Sequence, residues 1–157
     1  MKAFTQRGTQ YAKDIVSGKI LSSKLTIASC QRQLDDLKRQ RDPGFDYIFN
    51  PEITDKNGVK YRPAERICSF VQLLVHVKGE KAGQQFLIED WQCFFLTVVF
   101  GWVHKDTFYR RFKELYAEIP RKNGKSPLGA AIGLYMLTMD MEPGAEVFSG
   151  AADRNQA

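Results

Sequence analysis

Two histidines and three cysteines are few for a chain of 157 residues, and their placement excludes several chemistries. Cys30, Cys68 and Cys93 lie far apart and form no C-x-x-C pair, and neither His76 nor His104 has metal-ligand spacing to a cysteine. A zinc site is therefore not expected, and an odd cysteine count points to a reducing compartment. The first residues, MKAFTQRGTQYAKD, have no apolar run of the secretory type. The longest apolar stretch, Cys93–Val103, is well short of the ~18–20 residues that span a bilayer. Internal repeats and low-complexity tracts are missing too. What is present is an ordinary globular composition, 43% hydrophobic and 26% charged, with a net charge of +5 that suits an anionic partner such as nucleic acid. The expectation is a soluble intracellular chain.

The first third reads as helical. In SSKLTIASCQRQLDDLKRQRDPG, residues Ile27, Cys30, Leu34 and Leu37 share one helical face, and Asp42-Pro43-Gly44 stops the helix. Asn50–Pro63 carries Pro, Asn-Gly and charges and is expected to be a loop or short hairpin. Pro63 suits the first turn of a helix whose stripe is Ile67, Phe70, Val71, Leu74 and Val77, with Gly79 at its end. Glu89–Gly101 is apolar nearly all round, which predicts a buried helix with Gly101 as its C-cap.

Beyond Phe108 the pattern changes. Leu115–Ile119 reads as a strand, Pro120–Lys125 as a polar turn, and a helix from Ser126 carries Leu128, Ala131, Ile132, Tyr135 and Met139 on one face. Ala145–Ser149 reads as a second strand, so the segment predicts a βαβ unit of an α/β fold with a parallel sheet. Its turn contains Gly124-Lys125-Ser126, the back half of the phosphate loop G-x-x-x-x-G-K-[ST], with Ile119 in the place of the first glycine. Between a strand and a helix, such a turn aims backbone N–H groups at one point, at the positive end of the helix dipole. Lys125 would reach the phosphates and the Ser126 hydroxyl would ligate Mg²⁺. Arg121 and Lys122 add charge where the γ-phosphoryl gathers it, although exposed cations are most often only solvated. Upstream, the Gln92 amide offers the donor and acceptor that an adenine edge presents, and the Trp91 indole offers a surface for the base. A Trp-Gln pair at the head of a buried helix also serves simply as core and cap.

Three blocks, GEKAGQQFLIEDWQCFFLTVVFGW, RRFKELYAEIPRKNGKSPLGAAIGLYML and DMEPGAEVFSGAADRNQA, occur in this order. Together they resemble the N-terminal ATPase region of tailed-phage terminase large subunits, strongly from about Val75 to Ala157 and weakly through Ser17–Leu37. The resemblance implies an additional-strand P-loop NTPase that hydrolyses ATP to drive double-stranded DNA into the prohead. It implies a helical region over 1–80 and the first part of the ATPase domain over 81–157. By the same resemblance Arg121, Lys122, Asn123, Gly124, Lys125 and Ser126 hold ATP and Mg²⁺, with Lys125 and Arg121 catalytic and Gln92, beside Trp91, the adenine reader. The terminase small subunit, the portal, a homo-oligomeric ring and the host cytoplasm are implied as partners and setting. Asp153 and Arg154 lie in a segment the family keeps in outline, with no role assigned.

Pro127 departs from the family's usual threonine, and no Walker B segment follows before Ala157. The chain is therefore expected to be a fragment that binds ATP without turning it over. Two other readings compete: a small P-loop kinase, and a non-enzymatic basic DNA-binding module built on the first helices and the RRFK cluster, Arg110–Lys113.

Overall fold

The computed structural model describes residues 3–77, 79–140 and 144–150. Its elements are α1 (Phe4–Val16), α2 (Lys24–Arg39), β1 (Tyr47–Phe49), β2 (Ile53–Thr54), β3 (Lys60–Tyr61), α3 (Pro63–Leu73), α4 (Asp90–Gly101), β4 (Trp102–His104) and α5 (Lys125–Thr138). Helices dominate, with two small antiparallel sheets, a mixed architecture consistent with an α/β chain. β1 pairs with β4 in the register Tyr47↔His104, and β2 pairs with β3 across the turn at Asp55–Val59.

α4 has two buried sides, as its uniformly apolar sequence requires. Cys93, Leu96 and Phe100 face a cluster with Ile67 and Val71 of α3 and Leu128, Ala131 and Tyr135 of α5. Phe94 and Val98 face the opposite way, into a cluster with Ala12 and Ile15 of α1 and Cys30 of α2. Contact with α1 is backbone-close. A β-carbon at Gly8 would lie 2.9 Å from Cα of Phe94 and 2.8 Å from Oγ1 of Thr97.

The starts of α1 to α4 are each satisfied in their own way. Ser23 Oγ accepts from the Thr26 N–H at 3.2 Å and caps α2. α1 has no local cap, and its first amides are answered from α3: Phe4 and Thr5 N–H donate to the Glu65 carboxylate at 3.1 and 3.0 Å. α3 opens on Pro63, and the next amide, Ala64 N–H, donates to Asn50 Oδ1 at 2.9 Å. Asn50 holds a left-handed backbone, φ 51°, and its own N–H donates to the Gly101 carbonyl at 2.7 Å. α4 carries a capping box between Glu89 and Gln92.

Several expectations need correcting. Leu115–Ile119 and Ala145–Ser149 are not strands: neither pairs with another segment, and no parallel sheet forms among the described residues, so the βαβ unit is not assembled there. An extended segment gains ladder hydrogen bonds only beside a partner, and here Tyr116 and Phe148 stand largely in solvent. α3 ends at Leu73, short of the expected Gly79, and Val77 is exposed because the chain turns into a bridge between Val75 and Gln85. Gly101 is the last residue of α4 and has no positive φ, and Trp102 is the C-cap. The glycine is needed for space, since a β-carbon would meet the Phe49 ring at 2.8 Å. On α2 Cys30 is buried and Leu34 and Leu37 pack against the core as expected, but Ile27 is exposed, and Gln33 and Asp36 join the buried face. Two polar bonds explain that shift. Trp102 Nε1 donates to Gln33 Oε1 at 2.6 Å, and Arg111 donates to Asp36 at 2.7 Å.

Two tests follow from this packing. Gly8→Ala should lower stability by about 1–3 kcal/mol, the usual cost of overpacking, whereas Gly129→Ala, in open space on α5, should raise it by up to ~1 kcal/mol through helix propensity. Equal or reversed signs in chemical denaturation would contradict the close α1–α4 crossing. All three thiols are buried, and burial raises their pKa from 9.0, to about 11 for Cys30 and Cys93 and further for Cys68. Alkylation at pH 8 should label none in the folded chain and three after unfolding. Because the folded values are raised, this contribution to stability is complete below pH 9 and is lost as pH climbs towards 11, which unfolding curves over that range would register.

Candidate functional site

The turn before α5 is built with alternating hand. Lys122 has φ 68° and Gly124 φ 72°, ψ 18°, while Asn123 between them is not at positive φ. Residues that alternate between right- and left-handed backbone can turn their N–H groups towards one point, as in anion-binding nests. A non-glycine residue at positive φ is uncommon, so Lys122 is a strained position inside this turn. The first bond of α5 runs from Leu128 N–H to the Gly124 carbonyl at 3.0 Å, which leaves the Lys125 and Ser126 amides without an intrahelical acceptor. No acidic residue sits in the first turn of α5.

Charge at the turn is uncompensated. Arg121, Lys122 and Lys125 are exposed and make no ion pair among the described residues. Asn123 and Ser126 are exposed as well, and Ile119, in the place of a leading glycine, is half-buried. The turn lies on an open surface. A cavity of about 130 Å³ bordered by Arg66, Tyr109 and Asp140 lies elsewhere, at the C-terminal end of α5.

Gln92 reaches the turn from α4. Its side chain is 4% exposed, and Oε1 accepts from the Glu89 N–H at 2.9 Å. With the oxygen held there, Nε2 points the other way, and a β-carbon on Gly124 would lie 3.7 Å from it. The two residues that the sequence suggested separately are thus neighbours. Trp91 is half-buried and packs against the cluster shared by α3, α4 and α5, so its contact is with the core below the turn.

Pro127 stands at the third position of α5 without disturbing it, since that early amide is dispensable. Asp153 and Arg154 lie outside the described residues.

The RRFK cluster is largely committed to the interior. Arg110 pairs with Asp140, and Arg111 pairs with Asp36 beneath the rings of Phe45, Tyr47, Trp102 and Phe112. Neither guanidinium is held ready for a phosphate backbone. One contact next to Gln92 has no signal in the sequence: Arg7 of α1 donates to the Ile88 carbonyl at 2.7 Å and to Asp90 at 2.8 Å.

Residues 90–157 match the family described as "Terminase large subunit, ATPase domain". No curated protein and no solved structure matches the chain. The matched segment starts at the first residue of α4 and takes in both Gln92 and the turn from Arg121 to Ser126. Over residues 90–157 the chain is therefore similar to terminase large subunit ATPase domains, in keeping with the order of its motifs.

Proposed function

We propose that this chain is the ATP-binding, N-terminal part of a terminase large subunit, with a P-loop at residues 121–126. In the full-length protein that site powers the movement of double-stranded DNA into a prohead. The observation that carries the reading is the meeting of Gln92 Nε2 with Gly124 at the mouth of α5, beside three cations that make no ion pair among the described residues. A nucleotide has a base at one end and a polyphosphate at the other, and these residues suit the two ends.

The roles divide by chemistry. The amides around Asn123 and Gly124, with those of Lys125 and Ser126, suit phosphate oxygens, and the Lys125 ammonium adds a point charge. The Arg121 guanidinium suits charge developing on the γ-phosphoryl, and Lys122 supplements it. The Ser126 hydroxyl, which forms no hydrogen bond among the described residues, suits Mg²⁺. A magnesium ion held there would supply positive charge to offset the negative charge of the polyphosphate. Gln92 Nε2 donates towards a purine acceptor, and Oε1 retains a second lone pair for an exocyclic amine after accepting from Glu89. Trp91 supports that end of the site from the core.

The small subunit, the portal and a ring of copies belong to the same proposal, as does a host-cytoplasmic setting. So does a division into a helical region through residue 80 and an ATPase part from 81. None of the described helices is long and apolar enough to cross a membrane.

Two measurements test the site. Mg-ATP at a hundredfold excess over its Kd should stabilise the folded chain by about 2.7 kcal/mol, a rise in Tm of roughly 5–10 °C at this size, and Lys125→Ala should abolish it. A folded sample whose melting is indifferent to millimolar Mg-ATP would sink the reading. Gln92→Glu keeps the acceptor for Glu89 N–H but replaces the donor beside Gly124 with a carboxylate oxygen. It should weaken ATP binding by at least about tenfold, the effect of losing one good hydrogen bond, with the fold preserved by circular dichroism.

A further inference from the structure

The contact between α1 and the entry to α4 has no role in the reading so far. Arg7 projects from the first half of α1 and donates twice, through Nη2 to the Ile88 carbonyl and through Nε to Asp90 Oδ1. These two acceptors flank Glu89, whose N–H in turn fixes Gln92 Oε1. The chain of bonds therefore runs from a guanidinium on α1, across Ile88–Asp90, to the amide that faces Gly124.

α1 is a firm base for such a clamp. Its first amides are tied to Glu65 of α3, and Gly8, the residue after Arg7, sits against the α4 backbone at Phe94. The Arg7 side chain is three-quarters buried, and its planar fork meets two acceptors at once, a geometry that an ammonium cannot reproduce. Asp90 itself is largely exposed, so a surface ion pair alone would be worth little. The backbone carbonyl of Ile88, held in the same fork, sets where the segment lies.

We infer that Arg7 is a positioning residue for the base end of the nucleotide site. It holds Ile88–Asp90 so that Glu89 N–H keeps Gln92 Oε1 engaged and Nε2 turned towards Gly124. The inference rests on the nucleotide reading above and adds to it a dependence on α1. Without Arg7, Ile88–Asp90 loses its tether, the Gln92 amide samples other rotamers, and base recognition weakens while the phosphate turn is left as it was.

The test compares two ligands, Mg-ATP and Mg-tripolyphosphate, titrated calorimetrically into the whole chain, its Arg7→Ala and Arg7→Lys variants, and Gln92→Ala. Arg7→Ala should weaken ATP about tenfold, the loss expected when one hydrogen bond to the base is no longer held, and leave tripolyphosphate unchanged. Arg7→Lys, a single point donor, should also weaken ATP and not tripolyphosphate, and it carries the test if Arg7→Ala does not fold. In a Gln92→Ala background, either Arg7 substitution should add no further loss. Equal loss for both ligands, no loss for either, or additive losses with Gln92→Ala would overturn the positioning role while leaving the nucleotide site standing. A wild-type chain that binds neither ligand would overturn the site and this inference with it. One that binds both equally would overturn base recognition by Gln92, and the role of Arg7 with it.

Discussion

α4 has no polar side, and everything else in the molecule accommodates that fact. Its twelve residues, DWQCFFLTVVFG, leave water only when helices cover both flanks, so α1 and α2 lie on one side and α3 and α5 on the other. The cover must also be thin, because Gly8 brings the α1 backbone against α4 and Gly101 lets Phe49 and Ala64 close over its end. Apolar burial of this kind is non-directional. The directional bonds at the ends of the helices choose among the packings that would satisfy it: Glu65 at α1, Asn50 at α3 and the Glu89–Gln92 box at α4.

The candidate site grows out of the same helix. The box that starts α4 consumes one half of the Gln92 amide for structure and leaves the other half facing Gly124. α5, held by Leu128, Ala131 and Tyr135 on the far side of the shared core, fixes where its own N-terminus lies. Two ends of one packed pair therefore meet at one surface. The cations of the turn need no neutralising partner within the described chain, in contrast with Arg110 and Arg111 a few residues earlier, which are paired and stacked.

Elements with a strong local pattern were legible in the sequence, and those defined by a distant partner were not. α2, the Asn50–Pro63 hairpin, the start of α3, the body of α4 and the buried face of α5 follow from periodicity, proline placement and turn residues. β1 and β4 escaped notice, because each is three residues long and exists only through pairing with the other. Leu115–Ile119 has the composition of a strand but no neighbouring edge among the described residues. The α2 face is wider than periodicity shows, because Gln33 and Asp36 count as polar in the sequence, yet Trp102 and Arg111 draw them inwards. At the site, Gly124-Lys125-Ser126 was readable as a motif and Gln92 as a candidate. Their adjacency is tertiary, and the Arg7 fork spans 81 residues to Ile88.

Asn50 shows how narrow one position becomes when backbone and side chain are both engaged. Its left-handed φ favours Gly, Asn or Asp, and its amide oxygen is the acceptor for the Ala64 N–H. Glycine would meet the conformational demand and leave that amide unanswered, while serine or threonine would do the reverse. Only asparagine and aspartate combine a tolerance for that backbone with an acceptor of the right reach, so the position has almost no chemical latitude.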